Sequence, residues 1–485
     1  MGWTDIAERM LPRVEELQSF AKHVVQEGFT DVLVCGMGGS SLGSLVLRDV
    51  YGADSPLKIH VLDSTSPGTI LKFRNELPLE TTLFVVASKS GTTVEPKAFE
   101  EFFWSECLKK FGLVGAAQKF VAITDPGSQM DIEAQSRNYR RIFLGDPQIG
   151  GRFSVLSLFG LVTAALLGVD LAGFLARAVA LGKDGNHPGF EFGQWLAENA
   201  LAGREKVTLL AAPGLESFGL WAEQLVAEST GKHGHGILPV ALEPLKTLDQ
   251  YSNDRVFVGL RYDDAAGAQT TKMVQALEAQ GHPATERVLK DKLDLAAEFI
   301  TWEVATAVAG ALIGVNPFDQ PNVESAKVLA RQKLTEVRNG GSIEIKGGHS
   351  LGHLHLHGAA GLGEFLADAP ENAYVGFLAY VDESEEVDAL FAKLREGLPY
   401  VSSFGYGPRY LHSTGQYHKG GPANGVFVVV VADDDTDVDI PGMGVTFGQL
   451  KRAQAIGDVE ALRAEGRPVL LVTCKKASDL EALVD

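Results

Sequence analysis

Cysteine is scarce in this chain of 485 residues: Cys35, Cys107 and Cys474 are the three it has, widely scattered and without metal-type spacing. That excludes a disulfide scaffold and suits a reducing cytosol. Long hydrophobic runs are lacking as well. The two stretches nearest to a membrane span, Phe153–Val169 and Val304–Val315, contain small or hydroxyl residues and fall short of the ~20 apolar residues a bilayer requires. They read as buried helices of a soluble protein. The beginning, MGWTDIAERMLPRVEEL, carries charges throughout and no apolar core, which is not the pattern of a signal peptide. Base is in deficit too: 43 Lys and Arg against 62 Asp and Glu leave a net charge of −19, which argues against nucleic acid or an anionic membrane as partner. Glycine is plentiful, at 54, but no periodic repeat accompanies it, so collagen is excluded. What remains, 45% hydrophobic and 22% charged, is globular composition. The length allows about two to four domains.

Short β-branched runs alternate with helical patterns. Asp31–Cys35, Lys58–Leu62, Thr82–Ser88, Phe120–Thr124 and Arg140–Leu144 read as strands, with helices over Ser41–Tyr51, Gly68–Glu76 and Val94–Phe111. After a helical middle the pattern restarts with Val207–Ala212, Ile237–Val240 and Val256–Leu260, and with helices at Leu215–Ser229, Gln269–Gln280 and Leu293–Ile313. A third set follows the glycine- and histidine-rich stretch Asn339–Gly363: strands Val375–Tyr380, Gly425–Val431 and Pro468–Val472, helices Glu385–Leu398 and Phe447–Ala464. Strands alternating with helices imply crossovers, and therefore mainly parallel sheets covered on both faces. The expected architecture is α/β, with two doubly wound units over 1–170 and 171–335 and a third α/β unit over 336–485.

Five segments carry chemistry. Gly36–Gly43 (GMGGSSLG) is a glycine-rich strand-to-helix turn, where backbone N–H groups at a helix start can meet a phosphate. A dinucleotide fold, helped by Asp63 at the end of the second strand, is the rival, but the third glycine of its fingerprint is replaced by Ser41 and no GK[ST] is present. Ser88–Glu95 (SKSGTTVE) places four hydroxyls and the Lys89 ammonium at a helix start, enough donors for a phosphate monoester; an ordinary helix cap is the plainer alternative. Gly150–Ser154 puts Arg152 beside two glycines ahead of an almost uncharged helix, which calls for an anion or a local salt bridge. In Gln224–Lys232 (QLVAESTGK), Gln224 and Glu228 share a helical face, where a solvated glutamate is the usual outcome. In Asn316–Lys327, Gln320 and Lys327 project from a proline-marked turn into a helix.

Taken in order, GMGGSSLG, SKSGTT, GGRFSVLS, the Gln224/Glu228/Lys232 segment and FDQPNVESAK resemble the glucose-6-phosphate isomerases, enzymes with two sugar-isomerase (SIS) domains. The resemblance covers about residues 30–330. The remainder, including STGQYHKGGP and PGMGVTFGQLKRAQAIGD, looks like the tail of the isomerase half of bifunctional transaldolase/glucose-6-phosphate isomerases, without any sign of the transaldolase half. The resemblance implies that Ser88, Lys89, Ser90 and Thr93 hold the substrate phosphate with Gln320 nearby, and that Gly39, Ser40 and Gln224 touch the sugar. Glu228 would be the base, Arg152 the stabiliser of the anionic intermediate, and Lys327 a partner in ring opening. A homodimer is implied as well.

The implied reaction moves a proton between carbon-2 and carbon-1 of a sugar phosphate, which one carboxylate on one face can do. A permanently charged arginine can neutralise the enediolate oxygen, and the distant phosphate helps align the reacting carbons. No metal, nicotinamide or other cofactor is required. Screening over ~8 Å lets local charge outweigh net charge, and Lys89, Arg152, Lys232 and Lys327 are expected to make the site cationic. Conventional members supply a ring-opening histidine between the Glu and Lys motifs, whereas Thr247–Phe257 here has none. His418 is the expected replacement, with His233 and His235 as alternatives. His353, His355 and His357 would line one face of a strand, a spacing open to a transition metal, although a solvated loop is the plainer account. The expectation is a cytoplasmic glucose-6-phosphate/fructose-6-phosphate isomerase of glycolysis and gluconeogenesis. The alternatives are a broader phosphoglucose/phosphomannose isomerase and a non-catalytic sugar-phosphate sensor. An aminosugar synthase is disfavoured by the Met1-Gly2-Trp3 start, which lacks a cysteine nucleophile, and a dehydrogenase by the failed glycine fingerprint.

Overall fold

Runs of Val, Ile, Phe and Ala become strands buried on both faces, because helices cover each sheet. The computed structural model of the chain describes residues 1–182, 185–343 and 348–483. Part of the glycine- and histidine-rich stretch, residues 344–347, lies outside the described residues. The first sheet holds β1 (Asp31–Cys35), β2 (Lys58–Leu62), β3 (Thr82–Ala87), β4 (Phe120–Thr124) and β5 (Arg141–Leu144), all parallel, in the order β2-β1-β3-β4-β5. This is a doubly wound order whose direction reverses between β1 and β3, and ligands of such sheets sit beyond the carboxyl ends of the strands at that switch. The GMGGSS turn follows β1 and the SKSGTT loop follows β3. Topology alone therefore brings the two together.

The second sheet, β6 (Lys206–Ala211), β7 (Leu238–Val240), β8 (Arg255–Tyr262) and β9 (Ala284–Leu289), is also parallel, in the order β7-β6-β8-β9. The third contains β10 (His349–Leu351), β11 (Leu354–His357), β12 (Tyr374–Tyr380), β13 (Val401–Tyr406), β14 (Gly425–Ala432) and β17 (Val469–Cys474), in the order β10-β11-β17-β14-β12-β13. Its last four strands are parallel and repeat the switch pattern, while the β10–β11 hairpin adds antiparallel to β17. A small ribbon, β15 (Asp439–Ile440) with β16 (Val445–Thr446), completes the strands. The helix expected over Val94–Phe111 runs to Ala117 but is broken at Gly112 (φ 66°). β9 and β13 are not anticipated by their sequences: ATERVL and VSSFGY carry too much polarity or glycine to read as buried strands.

Apolar cores join the sheets. One runs continuously from Val34 through Phe153 and Leu161 to Trp221, Phe299 and Trp302, binding the first two sheets. It contains both membrane-like stretches: Leu158–Leu166 is wholly buried, and Leu295–Ile313, the one described helix long and apolar enough to span a bilayer, packs on Pro188–Leu201. A second core joins Phe447 and Leu450 of the Phe447–Ala464 helix to Phe84 and Phe120 of the first sheet and Phe103 of the helix that covers it. A third joins Tyr374, Tyr417 and Phe427 to Leu238 of the second sheet and Ala227 of the Glu216–Thr230 helix. The C-terminal part thus packs on both of the preceding sheets.

Candidate active site

The glycine-rich turn is shaped by what it must approach. A Cβ on Gly39 would stand 2.1 Å from the carbonyl oxygen of Gly151, so the GMGGSS and GGRFS turns pack backbone against backbone. Gly38, in the left-handed region (φ 53°), has equally little room: a Cβ there would meet Gln224 Nε2 at 2.6 Å and the His412 carbonyl oxygen at 2.7 Å. Gln224 and Glu228 lie one turn apart on the Glu216–Thr230 helix, which follows β6. Four sequence-distant segments therefore converge on one point.

Arg152 is the most fully coordinated group there. Its Nε donates to Ser229 Oγ (2.8 Å), Nη1 to Gln320 Oε1 (3.0 Å), and Nη2 to the carbonyls of Pro317 (2.8 Å) and Asp319 (2.9 Å). Nη1 also lies 3.3 Å from Glu228 Oε1. Gln224 Nε2 donates to the other Glu228 oxygen (3.2 Å) and to the His412 carbonyl (2.8 Å). The Glu228 side chain is 13% exposed, so it is largely withdrawn from bulk water.

The hydroxyl loop contains one buried, unused hydroxyl. Ser88 Oγ is buried and has no hydrogen-bond partner, and Gln224 Oε1 is in the same state. Thr93 precedes the Val94–Ala117 helix without capping it through its side chain, contrary to the plain cap alternative. Ser90 Oγ and Thr92 Oγ1 are 3.0 Å apart. Ser40 is buried in the turn after β1.

The expected cationic pool is neutralised group by group. Lys89 pairs with Asp125 and reaches the Pro147 carbonyl, Lys232 pairs with Asp319 (2.8 Å), Lys327 with Glu324 (2.9 Å), and Arg152 with Glu228. Buried cations require such partners. Burial lowers the Lys232 ammonium below its ordinary range, and Arg152 adds to that, against the pull of Asp319. Lys327 is half-buried and makes its contact with Glu324, not with Glu228.

The ring-opening expectation requires correction. His418 is fully buried, its Nδ1 2.9 Å from the Tyr374 hydroxyl and its ring packed on Phe427 at 4.9 Å. Burial, with Lys419 and Arg467 nearby, drives it well below the ordinary histidine range. It is a neutral core residue, because the short Gly415–Gly420 helix turns it inward. His233 and His235 are exposed on the turn beyond Thr230. The histidine that does reach the site is His412, which the motif spacing does not reveal. Its Nε2 is 3.0 Å from Glu95 Oε1, the last residue of SKSGTTVE. Gln454 Nε2 also donates to Glu95 Oε1 (2.7 Å), and Thr65 Oγ1 donates to Gln454 (2.9 Å). Burial pushes Glu95 up, but His412 and Lys327 carry its carboxyl below the usual range. The signal available in the sequence was the Gly-Pro turn and hydroxyl-rich STG around His412.

His355 lies on β11 and faces solvent, 3.4 Å from Ser350 Oγ. The histidines 353, 355 and 357 do not form a cluster able to share an ion. Among the described residues the group that meets that geometric test is Glu100–Glu101–Glu133, where Lys97 and Arg137 already sit.

Residues 4–191 match the family model for phosphoglucose isomerase. A glucose-6-phosphate isomerase of Rubrobacter xylanophilus is 30% identical over 67% of this chain and 88% of its own length. A probable glucose-6-phosphate isomerase of Methanococcus maripaludis is 28% identical over 69% and 84%. Among solved structures, a glucose-6-phosphate isomerase from Chlamydia trachomatis superposes with a TM-score of 0.57 at 24% identity, over 67% of this chain and 73% of its own. A hypothetical protein from Thermus thermophilus does so with 0.63 at 24% identity, over 69% and 90%; these two establish the fold. The chain belongs to the phosphoglucose isomerase family.

Proposed function

We propose that the chain interconverts glucose 6-phosphate and fructose 6-phosphate through an enediolate, with Glu228 moving the proton between carbon-2 and carbon-1. The observation that carries this reading is the Arg152–Glu228 pair, 3.3 Å apart, with every other guanidinium donor tied to the protein. A guanidinium so fixed needs no reorganisation to meet a developing oxyanion, and one carboxylate beside it suffices for a transfer between adjacent carbons.

We propose the remaining roles alongside it. Ser88, Ser90 and Thr93 hold the phosphate, with Lys89 and Gln320 supporting that end; Gly39, Ser40 and Gln224 border the sugar. Ser88 Oγ, buried without a partner, suits an anion acceptor. His412 takes the ring-opening role, with Lys327 beside it. Its Nε2 is committed to Glu95, which leaves Nδ1 as the edge that exchanges a proton with the ring oxygen. The chain reads as three units, 1–170, 171–335 and 336–485, the third supplying that histidine from within the same polypeptide. A sugar-phosphate substrate suits a role in glycolysis and gluconeogenesis, with the cytoplasm as the proposed location.

The test is a coupled assay of the interconversion, comparing the parent protein with Glu228→Gln. The substitution keeps the volume and one of the two acceptor contacts but not the base. Turnover should fall by about 10²–10⁴-fold with near-normal affinity for the sugar phosphates. Equal turnover in the two proteins would remove Glu228 from the mechanism.

A further inference from the structure

Asp63 closes β2, and the chemistry above uses neither it nor Arg409. Yet Asp63 is almost wholly buried and makes three charged or polar contacts. Its Oδ2 accepts from Ser41 Oγ (3.2 Å) and from Arg409 Nε (2.8 Å), and its Oδ1 accepts from Arg409 Nη2 (2.6 Å). The same Nη2 reaches both oxygens of Glu383, at 2.8 and 3.0 Å. Ser41 immediately follows Gly38-Gly39-Ser40. Arg409 opens the 3₁₀ turn Arg409–His412, in which positions three apart stack on one side. One carboxylate therefore holds the end of the sugar-side turn and the base of the turn that carries His412.

Packing anchors the middle of that turn, where Tyr410 and Leu411 are buried and Tyr410 Oη donates to Asp458 Oδ2 (2.7 Å), whereas Arg409 at its start is held by ions. A cavity of about 600 Å³ lies behind it, lined among others by Asp63, Glu383, Arg409, Ser413 and Thr414. On the cavity side the Asp63–Arg409–Glu383 ions add to that anchoring and tie the start of the turn to the end of β2. The chain of contacts then runs from Asp63 to Arg409, along the turn to the His412 carbonyl, to Gln224 Nε2 and on to Glu228. Removing charge from a buried group of this kind leaves its partners uncompensated and free to rearrange.

We infer that Asp63 and Arg409 are positioning residues of the isomerase: they fix His412 against the glycine-rich turn and act through it, without touching substrate. This rests on the ring-opening role of His412 given above. Arg409→Met and the near-isosteric Asp63→Asn are to be compared with His412→Asn and with the double variant Arg409→Met/His412→Asn. The measurements are kcat and KM for both sugar phosphates and the folded fraction at the assay temperature. A misplacement near 1 Å predicts a loss of about 100-fold in kcat, with KM changed by less than about threefold. The double variant should be no slower than His412→Asn alone, since a residue that acts through another adds nothing once that other is gone. Should Arg409→Met not fold, Asp63→Asn decides by the same criterion. Folded variants with parental kcat would overturn the inference, as would losses that multiply in the double variant. Full turnover in His412→Asn would instead overturn the ring-opening role, and this inference with it.

Discussion

Glu95 and His412 stand 317 positions apart in the chain, and their side chains meet at 3.0 Å. Glu95 lies in the first turn of the Val94–Ala117 helix, directly after the hydroxyl-rich loop, and His412 follows β13 in the third sheet. Gln454, on the Phe447–Ala464 helix, closes on the same carboxylate. The C-terminal unit is thus fastened to the helix start that follows the hydroxyl-rich loop.

Glu95→Gln should be visible in both stability and rate. Burial raises the Glu95 carboxyl, but His412 and Lys327 bring it below its ordinary value of 4.5. Its folded value is lower than its unfolded one, so its stabilisation is complete above about 4.5 and is lost as the pH falls through the folded value. The denaturation midpoint of the parent should decline on acidification below 4.5, and that of the variant should decline less. At neutral pH the neutral amide no longer supports an imidazolium, and kcat should fall by about 10²-fold. A parental rate at neutral pH would show that the pair is only a fastening.

His418→Asn should separate the two histidines by phenotype. The buried ring loses its contacts with Tyr374 and Phe427, for a cost of about 1–3 kcal/mol, while the site is untouched. Thermal unfolding should move to lower temperature with kcat and KM close to parental values. The same measurements on His412→Asn should give the reverse pattern, a small shift in unfolding and a large loss of turnover.

The contrast explains how much was readable in advance. Arg152, Gln224, Glu228 and the Ser88–Thr93 hydroxyls each sit in a short segment at the end of a strand or on one helical face, so local spacing exposes them. The doubly wound order then makes the turns after β1 and β3 neighbours. The pairing of Lys89 with Asp125 is a contact across 36 positions, and no local pattern encodes it. His412 is further still from that reach: its place depends on how the third sheet docks, while His418, six residues on, is turned into the core by the helix between them. Short-range periodicity reports the faces of an element. It does not report which element closes over another.

Gly39→Ala tests the contact between the two glycine turns. A methyl 2.1 Å from the Gly151 carbonyl oxygen cannot be accommodated by a side-chain rotation, since the obstacle is backbone. The turns must separate, at a cost of about 1–3 kcal/mol. Arg152 directly follows Gly151, so its alignment with Glu228 moves as well. The expected result is a folded, less stable protein with kcat reduced more than KM is raised, measured by steady-state kinetics and thermal unfolding on one preparation. Gly150→Ala is the control, because its Cβ would meet nothing nearer than 3.8 Å.

Glu223, next to Gln224 on the same helix, gives the opposite pH dependence. Burial pushes its carboxyl up to about 8, against the Ala241 N–H that one oxygen accepts and the charge of Arg395. In the unfolded chain it titrates near 4.5, so between that value and about 8 the folded chain keeps a proton that the unfolded chain has released. Stability must therefore fall as pH rises through this window, because there the native state binds more protons. Glu223→Gln keeps a neutral side chain at every pH and should remove that fall. Urea midpoints at about pH 5 and about pH 8 check it: the parent should lose stability between the two, and the variant should lose less. A variant that loses as much as the parent would mean that Glu223 is already ionised in the fold. The carboxylate would then have found a partner among the groups lining the cavity beside it.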